Sequence, residues 1–122
     1  YKWLMWLTNT LQATLIVYFY PERWVNSGNA VGVAEVRAHA ESKVRVLLGL
    51  LERELARYGG PWLLGDSYTA LDPYAMMLCR WTRNFEQPAR ARTHLGPYLQ
   101  RVLERPAVQR AFATEQIAPP WV

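Results

Sequence analysis

Hydrophobic positions recur at helical spacing along almost the whole chain. The first such segment covers about residues 3–20, with the apolar positions Trp3, Leu4, Leu7, Leu11, Leu15 and Tyr18. Its β-branched and aromatic end resembles a strand in isolation, but the helical phase upstream favours a helix that stops at Pro21. A second stripe predicts a long helix over about residues 33–58, because its charged residues lie largely off the stripe and Gly59-Gly60-Pro61 follows it.

A third segment, from about Ala70 to Arg83, is apolar over most of its helical circumference. Such a pattern is typical of a helix at the centre of a bundle. Two shorter helices are predicted over about residues 93–104 and 106–114, and the proline-containing tail cannot be regular helix. The sequence therefore predicts an all-α bundle of about five helices over residues 1–117, followed by a tail at 118–122.

Composition and charge narrow the classes of function. The chain has 122 residues, of which 51% are hydrophobic and 20% charged, as expected for one globular domain. Its net charge is +4, but the arginines are scattered among acids rather than clustered in a stripe, so we expect no nucleic-acid partner. The apolar run from Leu11 to Tyr20 is too short to cross a bilayer, so we expect no membrane partner.

Cysteine and histidine content offers little chemistry. The single cysteine, Cys79, cannot form a disulfide within the chain, which fits a reducing cytoplasm. We expect it to be a small core residue with a raised pKa. His39 and His94 stand far apart in the sequence, and no Cys, His and carboxylate cluster has metal-ligand spacing, so no metal site is predicted.

Thr69 and Asp72 have the spacing of a capping box at the start of the third helix. In such a box, the Thr69 hydroxyl accepts a hydrogen bond from the backbone N–H at the third helical position. The Asp72 carboxylate accepts one from the N–H of Thr69. We expect Asp72→Ala to cost about 1–2 kcal/mol of stability, and more if the box is buried.

The segment around this box resembles a known family. Leu64-Gly65-Asp66 followed by Thr69-Ala70-Leu71-Asp72 is similar to the pattern of glutathione transferases, and Asp72-Pro73-Tyr74 to Arg80-Trp81 is similar to bacterial members, including the beta class. The resemblance continues in Leu103–Gln109 and covers most of residues 3–114. It implies the C-terminal helical domain of that family, in which the box caps a buried central helix. It also implies a thioredoxin-like N-terminal domain, absent from this chain, and the chain's start at Tyr1 within a helical pattern suggests a preceding segment.

The resemblance implies a role for this domain as one wall of the site for the electrophilic substrate. Trp81 matches a tryptophan that lines the site in beta-class relatives, although a core position is the competing interpretation. Gln12 and Thr10 stand where those relatives often carry a histidine and a glutamate, and both departures put beta-class substrate handling in doubt. Trp6 is a fourth candidate, with core packing or dimer contact as its alternative. No catalytic residue is expected in this chain.

Three functional hypotheses follow. The first is a domain of a glutathione transferase that acts on small hydrophobic electrophiles by conjugation or thiol transfer. There glutathione is the co-substrate of the whole protein, and the first two helices form homodimer contacts. The second is a non-catalytic module of the same fold that binds other proteins. The third is an unrelated helical bundle. Under the first, we expect the chain alone to show no glutathione-dependent turnover.

Overall fold

The computed structural model describes residues 1–122, and it is helical throughout. Helix α1 consists of three consecutive segments, Lys2–Trp6, Leu7–Gln12 and Ala13–Phe19, of which the middle one is π-helical. The other helices are α2 (Ala30–Tyr58), α3 (Leu71–Arg80), α4 (Leu95–Leu103) and α5 (Pro106–Thr114). No strand forms, and β pairing is limited to one bridge between Trp62 and Gly65. The prediction of an all-α fold with about five helices is confirmed.

The helix boundaries differ from the predictions for local reasons. Helix α2 begins at Ala30, earlier than predicted, because the Asn29 side chain accepts a hydrogen bond from the N–H of Gly32 at 2.9 Å and so caps the first turn. Helix α3 ends at Arg80, three residues before the predicted end, and Trp81–Arg83 form turns. Short 3₁₀ turns occupy Pro21–Trp24 and Ala89–Ala91.

The chain divides into two compact units, Tyr1–Gly49 and Leu50–Val122. In the first unit, the buried apolar side chains of α1 lie four residues apart, as the hydrophobic pattern predicts. These buried apolar side chains are Leu7, Leu11 and Leu15, and the polar Thr14 is buried beside them. The buried stripe of α2 in this unit has the same helical spacing and consists of Ala40, Val44, Leu47 and Leu48. Each helix therefore buries one face and leaves the other exposed.

The second unit has its own core, to which every helix of the unit contributes. Its fully buried side chains include Leu51, Ala75, Leu78, Cys79, Leu95, Tyr98, Leu99 and Val102. Helix α3 buries five of its ten residues, including Asp72, and four more are half-buried, so the prediction of a buried third helix is confirmed. Met77 departs from that prediction, since it is 37% exposed. No helix of the protein combines the length and apolar content that crossing a bilayer requires.

The tail is not helical, as predicted, but it is held in place. Gln116 adopts the left-handed conformation at φ 55°, and the N–H of Ile117 donates to the carbonyl oxygen of Phe112 at 2.9 Å, which ends α5 and reverses the chain. Nη1 of Arg80 donates hydrogen bonds to the carbonyl oxygens of both Pro120 and Trp121, each at 3.1 Å. The tail is therefore held against the rest of the second unit.

Candidate functional site

The π-helical turn Leu7–Gln12 contains two of the four predicted substrate-binding residues, Thr10 and Gln12. A π turn widens the helix by one residue, and it occurs often at functional sites. The Thr14 hydroxyl donates a hydrogen bond to the carbonyl oxygen of Thr10 at 2.7 Å. This bond gives a backbone carbonyl of the π turn a side-chain donor. Helical periodicity alone gave no sign of this turn.

An open groove of about 480 Å³ lies between α1 and the first part of α2. Its wall from α1 consists of Asn9, Thr10, Ala13, Thr14 and Val17, and its wall from α2 consists of Glu35, Val36, His39, Ala40 and Lys43. Four of these ten side chains are small and apolar, namely Ala13, Val17, Val36 and Ala40. The groove can therefore hold an organic molecule against an apolar surface beside several polar groups.

The polar side of the groove is a stripe of three titratable residues on α2. Glu35, His39 and Lys43 follow each other at intervals of four residues and so lie along one face of the helix. None of these three residues takes part in an ion pair. The ion pair of the structure joins His94 and Glu52. Glu35 and Lys43 stand roughly 12 Å apart along the helix axis, so the groove offers opposite charges at its two ends.

The structure separates the predicted residues of α1. Thr10 lines the groove, whereas Gln12 does not, because side chains two residues apart point to different sides of a helix. Trp6 also lies outside the groove and packs edge-to-face on Trp3, with ring centroids 5.6 Å apart. Thr10, Gln12 and Trp6 are all half-buried.

Trp81 lies in the other compact unit, as the first residue after α3. It is half-buried, and its backbone N–H donates to the carbonyl oxygens of Met77 at 3.3 Å and Leu78 at 3.1 Å. Its assignment to a substrate site remains a prediction, as do those of the three residues on α1.

The predicted capping box forms in only one of its two directions. Asp72 Oδ2 accepts a hydrogen bond from the N–H of Thr69 at 2.9 Å, as predicted. The Thr69 hydroxyl, however, accepts from the N–H of Leu71 at 3.2 Å and not from that of Asp72. The prediction was wrong on this point because the Asp72 N–H donates instead to the backbone carbonyl of Thr69 at 3.1 Å, and the helix starts one residue later than predicted.

Asp72 has a wider role than a helix cap. Its Oδ1 accepts hydrogen bonds from the N–H of Leu63 at 2.9 Å and from the Tyr98 hydroxyl at 2.7 Å, and the residue is fully buried. Burial and this hydrogen bond raise the pKa of Tyr98 far above its ordinary value. One carboxylate thus joins the segment before α3, the start of α3 and helix α4, so its role is structural. Sequence spacing gave no sign of Leu63 or Tyr98 as partners.

A second carboxylate caps a helix from a distance. Both oxygens of Glu52, on α2, accept hydrogen bonds at the start of α4, from the N–H groups of His94 and Leu95, the latter at 2.9 Å. The positive end of a helix favours such an anion. His94 Nδ1 also lies 3.5 Å from Glu52. The two residues are far apart in sequence, and no motif links them.

Cys79 is fully buried on α3, and burial raises the pKa of its thiol to about 12. The prediction of a core cysteine with a raised pKa is confirmed, and little of the reactive thiolate forms at neutral pH. No group of three or more His, Cys, Asp or Glu residues is placed to bind a metal ion.

Comparison with known proteins gives two relatives. The chain is 29% identical over 114 residues to the glutathione S-transferase-like protein OpS6 of Beauveria bassiana, an alignment that covers 90% of the chain and 52% of that protein. It is 30% identical over 80 residues to the glutathione S-transferase GstA of Escherichia coli O157:H7, covering 66% of the chain and 37% of that protein. The chain therefore spans about half or less of the curated relatives it matches. No family model matches the sequence, and no solved structure matches it significantly.

Proposed function

We propose that this chain, a C-terminal helical domain of the glutathione S-transferase family, forms the helical wall of the site that holds the electrophilic substrate. The observation that carries this proposal is the similarity to a glutathione S-transferase-like protein, over 90% of the chain, and to a glutathione S-transferase, over 66% of the chain. Those relatives come from a fungus and a bacterium, so the similarity does not select a bacterial class.

In this proposal the chain orients and buries an apolar substrate. The residues assigned to the wall are Trp6, Thr10 and Gln12 on α1 and Trp81 after α3. All four side chains are half-buried, which suits this task because such a side chain can contact a ligand while it remains packed on the protein. Such positioning lowers the entropic part of the barrier when a thiolate attacks the electrophile.

The activation of glutathione belongs, in this proposal, to a thioredoxin-like domain of the whole protein. Cys79 is unsuited to act as the nucleophile, because burial raises its pKa to about 12. Tyr98 is equally unsuited, because its hydroxyl donates to Asp72 within the core. Glutathione is therefore proposed as the co-substrate of the whole protein in the cytoplasm, with small hydrophobic electrophiles as its second substrates.

Subunit contact is a second part of the proposal. The first unit exposes large apolar side chains on both of its helices, including Leu4, Met5, Val31 and Val46. Exposed apolar groups on adjacent helices favour association. We expect the full-length protein to sediment as a homodimer at micromolar concentration. A monomer there would remove this part of the proposal.

The substrate wall is tested in the full-length protein with glutathione and a chloronitrobenzene electrophile. Trp81→Ala should lower kcat/KM for the electrophile roughly tenfold, because it removes apolar contact with the reacting molecule, and should leave the KM for glutathione unchanged. Trp24→Ala is the matched control, since Trp24 is 52% exposed in a surface turn. Equal effects of the two substitutions would contradict the assignment of Trp81.

The same assay separates the catalytic proposal from the non-catalytic module. A folded full-length protein that binds no glutathione and conjugates no electrophile would favour the module that binds other proteins. Conjugation by residues 1–122 alone would contradict the division of labour between the two domains.

A further inference from the structure

A second cavity, of about 300 Å³, lies within the second unit between α4, α5 and the tail. Its lining is mainly apolar, with Leu103, Val108, Phe112, Ala113, Ile117 and Trp121, and its polar members are Gln100, Glu104 and Gln109. None of these residues belongs to the proposed substrate wall. The volume is at the lower end of the range for small-molecule sites, which is roughly 300–1,000 Å³.

The tail side of this cavity is formed in advance by fixed side chains. The indole N–H of Trp121 donates to the carbonyl oxygen of Ile117 at 3.2 Å, and Arg80 holds the carbonyl of the same tryptophan. The Arg80 guanidinium also lies 5.7 Å from the centre of the Phe112 ring. Two aromatic side chains are therefore held at the cavity without help from a ligand, which lowers the entropic cost of binding.

These contacts leave Trp121 45% exposed although its backbone and ring nitrogen are fixed. A large aromatic ring that is held in place beside a cavity offers a planar surface on which another ring can stack. Val122 behaves differently, since it is buried and its carbonyl oxygen accepts from Arg90 Nη1 at 2.8 Å. The tail is thus anchored on both sides of a residue whose ring remains available.

The charge at the cavity selects among aromatic ligands. Glu104 is the charged residue of the lining, and it has no ion pair. The Arg80 guanidinium lies outside the lining, and its Nη1 is occupied by the carbonyl oxygens of Pro120 and Trp121. Its neighbour Arg105 is engaged elsewhere, with its guanidinium 3.9 Å from the centre of the Tyr68 ring. A carboxylate beside an apolar slot attracts a cation and repels an anion. Gln100 and Gln109 add neutral donors and acceptors at the same site.

We propose that this cavity is a binding site for a planar aromatic amine in its cationic form, which stacks on Trp121 and pairs with Glu104. The site is independent of glutathione chemistry and of the substrate wall. A bicyclic ring with one aminomethyl group fits the volume of the cavity and supplies a ring for Trp121 and a cation for Glu104.

The probe for the test is 2-(aminomethyl)naphthalene, with 2-methylnaphthalene and 2-naphthoate as neutral and anionic counterparts. Calorimetry on the full-length protein should give a dissociation constant of roughly 100 µM or tighter for the amine. Binding of the neutral compound should be about tenfold weaker, because it lacks the charge pair. Glu104→Gln should remove this difference between the amine and the neutral compound.

The location of the site is tested by filling the cavity. Ala113→Phe places a ring in the cavity from an exposed helical position and should abolish binding of the amine. Ala111→Phe is the matched control on the same helix, since Ala111 is exposed and lies outside the lining. Retained binding in Ala113→Phe, equal binding of the amine and the naphthoate, or a dissociation constant for the amine weaker than about 100 µM would each overturn the proposal.

Discussion

The start of α3 and the groove between α1 and α2 each contain a carboxylate on a helix, yet the two carboxylates stand in opposite environments. Asp72 is fully buried and accepts hydrogen bonds from Leu63, Thr69 and Tyr98. Glu35 is exposed at the rim of an open groove and has no ion pair. A carboxylate whose oxygens are occupied by the protein holds the fold together, whereas one with free oxygens can receive a ligand.

The largest expected effect is that of Asp72→Ala, which should lower the free energy of unfolding by about 4 kcal/mol. The substitution leaves several buried donors without an acceptor, and each such group costs roughly 1–3 kcal/mol. This exceeds the cost expected from a simple cap, because the residue is buried. Urea denaturation measures the change, and Asp66→Ala serves as an exposed control within about 0.5 kcal/mol of the unsubstituted protein. Similar losses of unfolding free energy for Asp72→Ala and Asp66→Ala would contradict the contrast between buried and exposed carboxylates.

Tyr98→Phe should have the second-largest effect and lower the free energy of unfolding by about 2 kcal/mol. It removes one hydrogen bond to a carboxylate in the core while keeping the ring in place. A double-substitution cycle with Asp72→Ala isolates the contact, since Tyr98→Phe should then cost little in the absence of the carboxylate. Additive losses would show that the two side chains act independently.

Glu52→Ala should cost about 1 kcal/mol, because it removes the acceptor for the first N–H groups of α4. Glu35→Ala, on the same helix, is the matched control and should change stability by less than about 0.5 kcal/mol. Thermal unfolding of the two variants compares them directly. If Glu52→Ala and Glu35→Ala unfold at the same temperature, Glu52 does not stabilise the start of α4.

The smallest effect concerns alkaline pH. The folded-state pKa of Cys79 is raised from an ordinary 9.0 to about 12. The contribution of the protonated Cys79 thiol to the free energy of unfolding is therefore fully present below pH 9. It is lost as the pH rises towards 12, and the free energy of unfolding should be lower by about 1 kcal/mol at pH 10. The raised pKa of Tyr98 acts in the same direction at higher pH.

Cys79→Ala tests this pH dependence. The difference in unfolding free energy between this variant and the unsubstituted protein should stay constant up to pH 9 and then shift in favour of the variant. Thiol labelling at pH 8 should be negligible in the folded protein. A difference that stays constant to pH 11, or rapid labelling under native conditions, would contradict the burial of this thiol.

Helical periodicity alone predicted the all-α fold, the approximate position of each helix and the burial of α3. These features depend on side chains three or four residues apart, which meet on one helical face whatever the rest of the chain does. The bond from Thr69 N–H to Asp72 was predictable for the same reason, since its partners are three residues apart. The sequence segment around Asp72 also indicated the resemblance to glutathione transferases.

Only the tertiary structure decided which polar groups meet across the chain. Glu52 caps α4 over 42 residues, Tyr98 reaches Asp72 over 26, and Arg80 holds the tail over about 40. Such pairs have no fixed spacing, because the loops between the helices set which turns face each other. The π turn in α1 also escaped prediction, since its extra residue shifts the hydrogen bonds without breaking the apolar pattern. The sequence thus determined which faces are apolar, and the tertiary structure determined which polar atoms are satisfied and which remain available to a ligand.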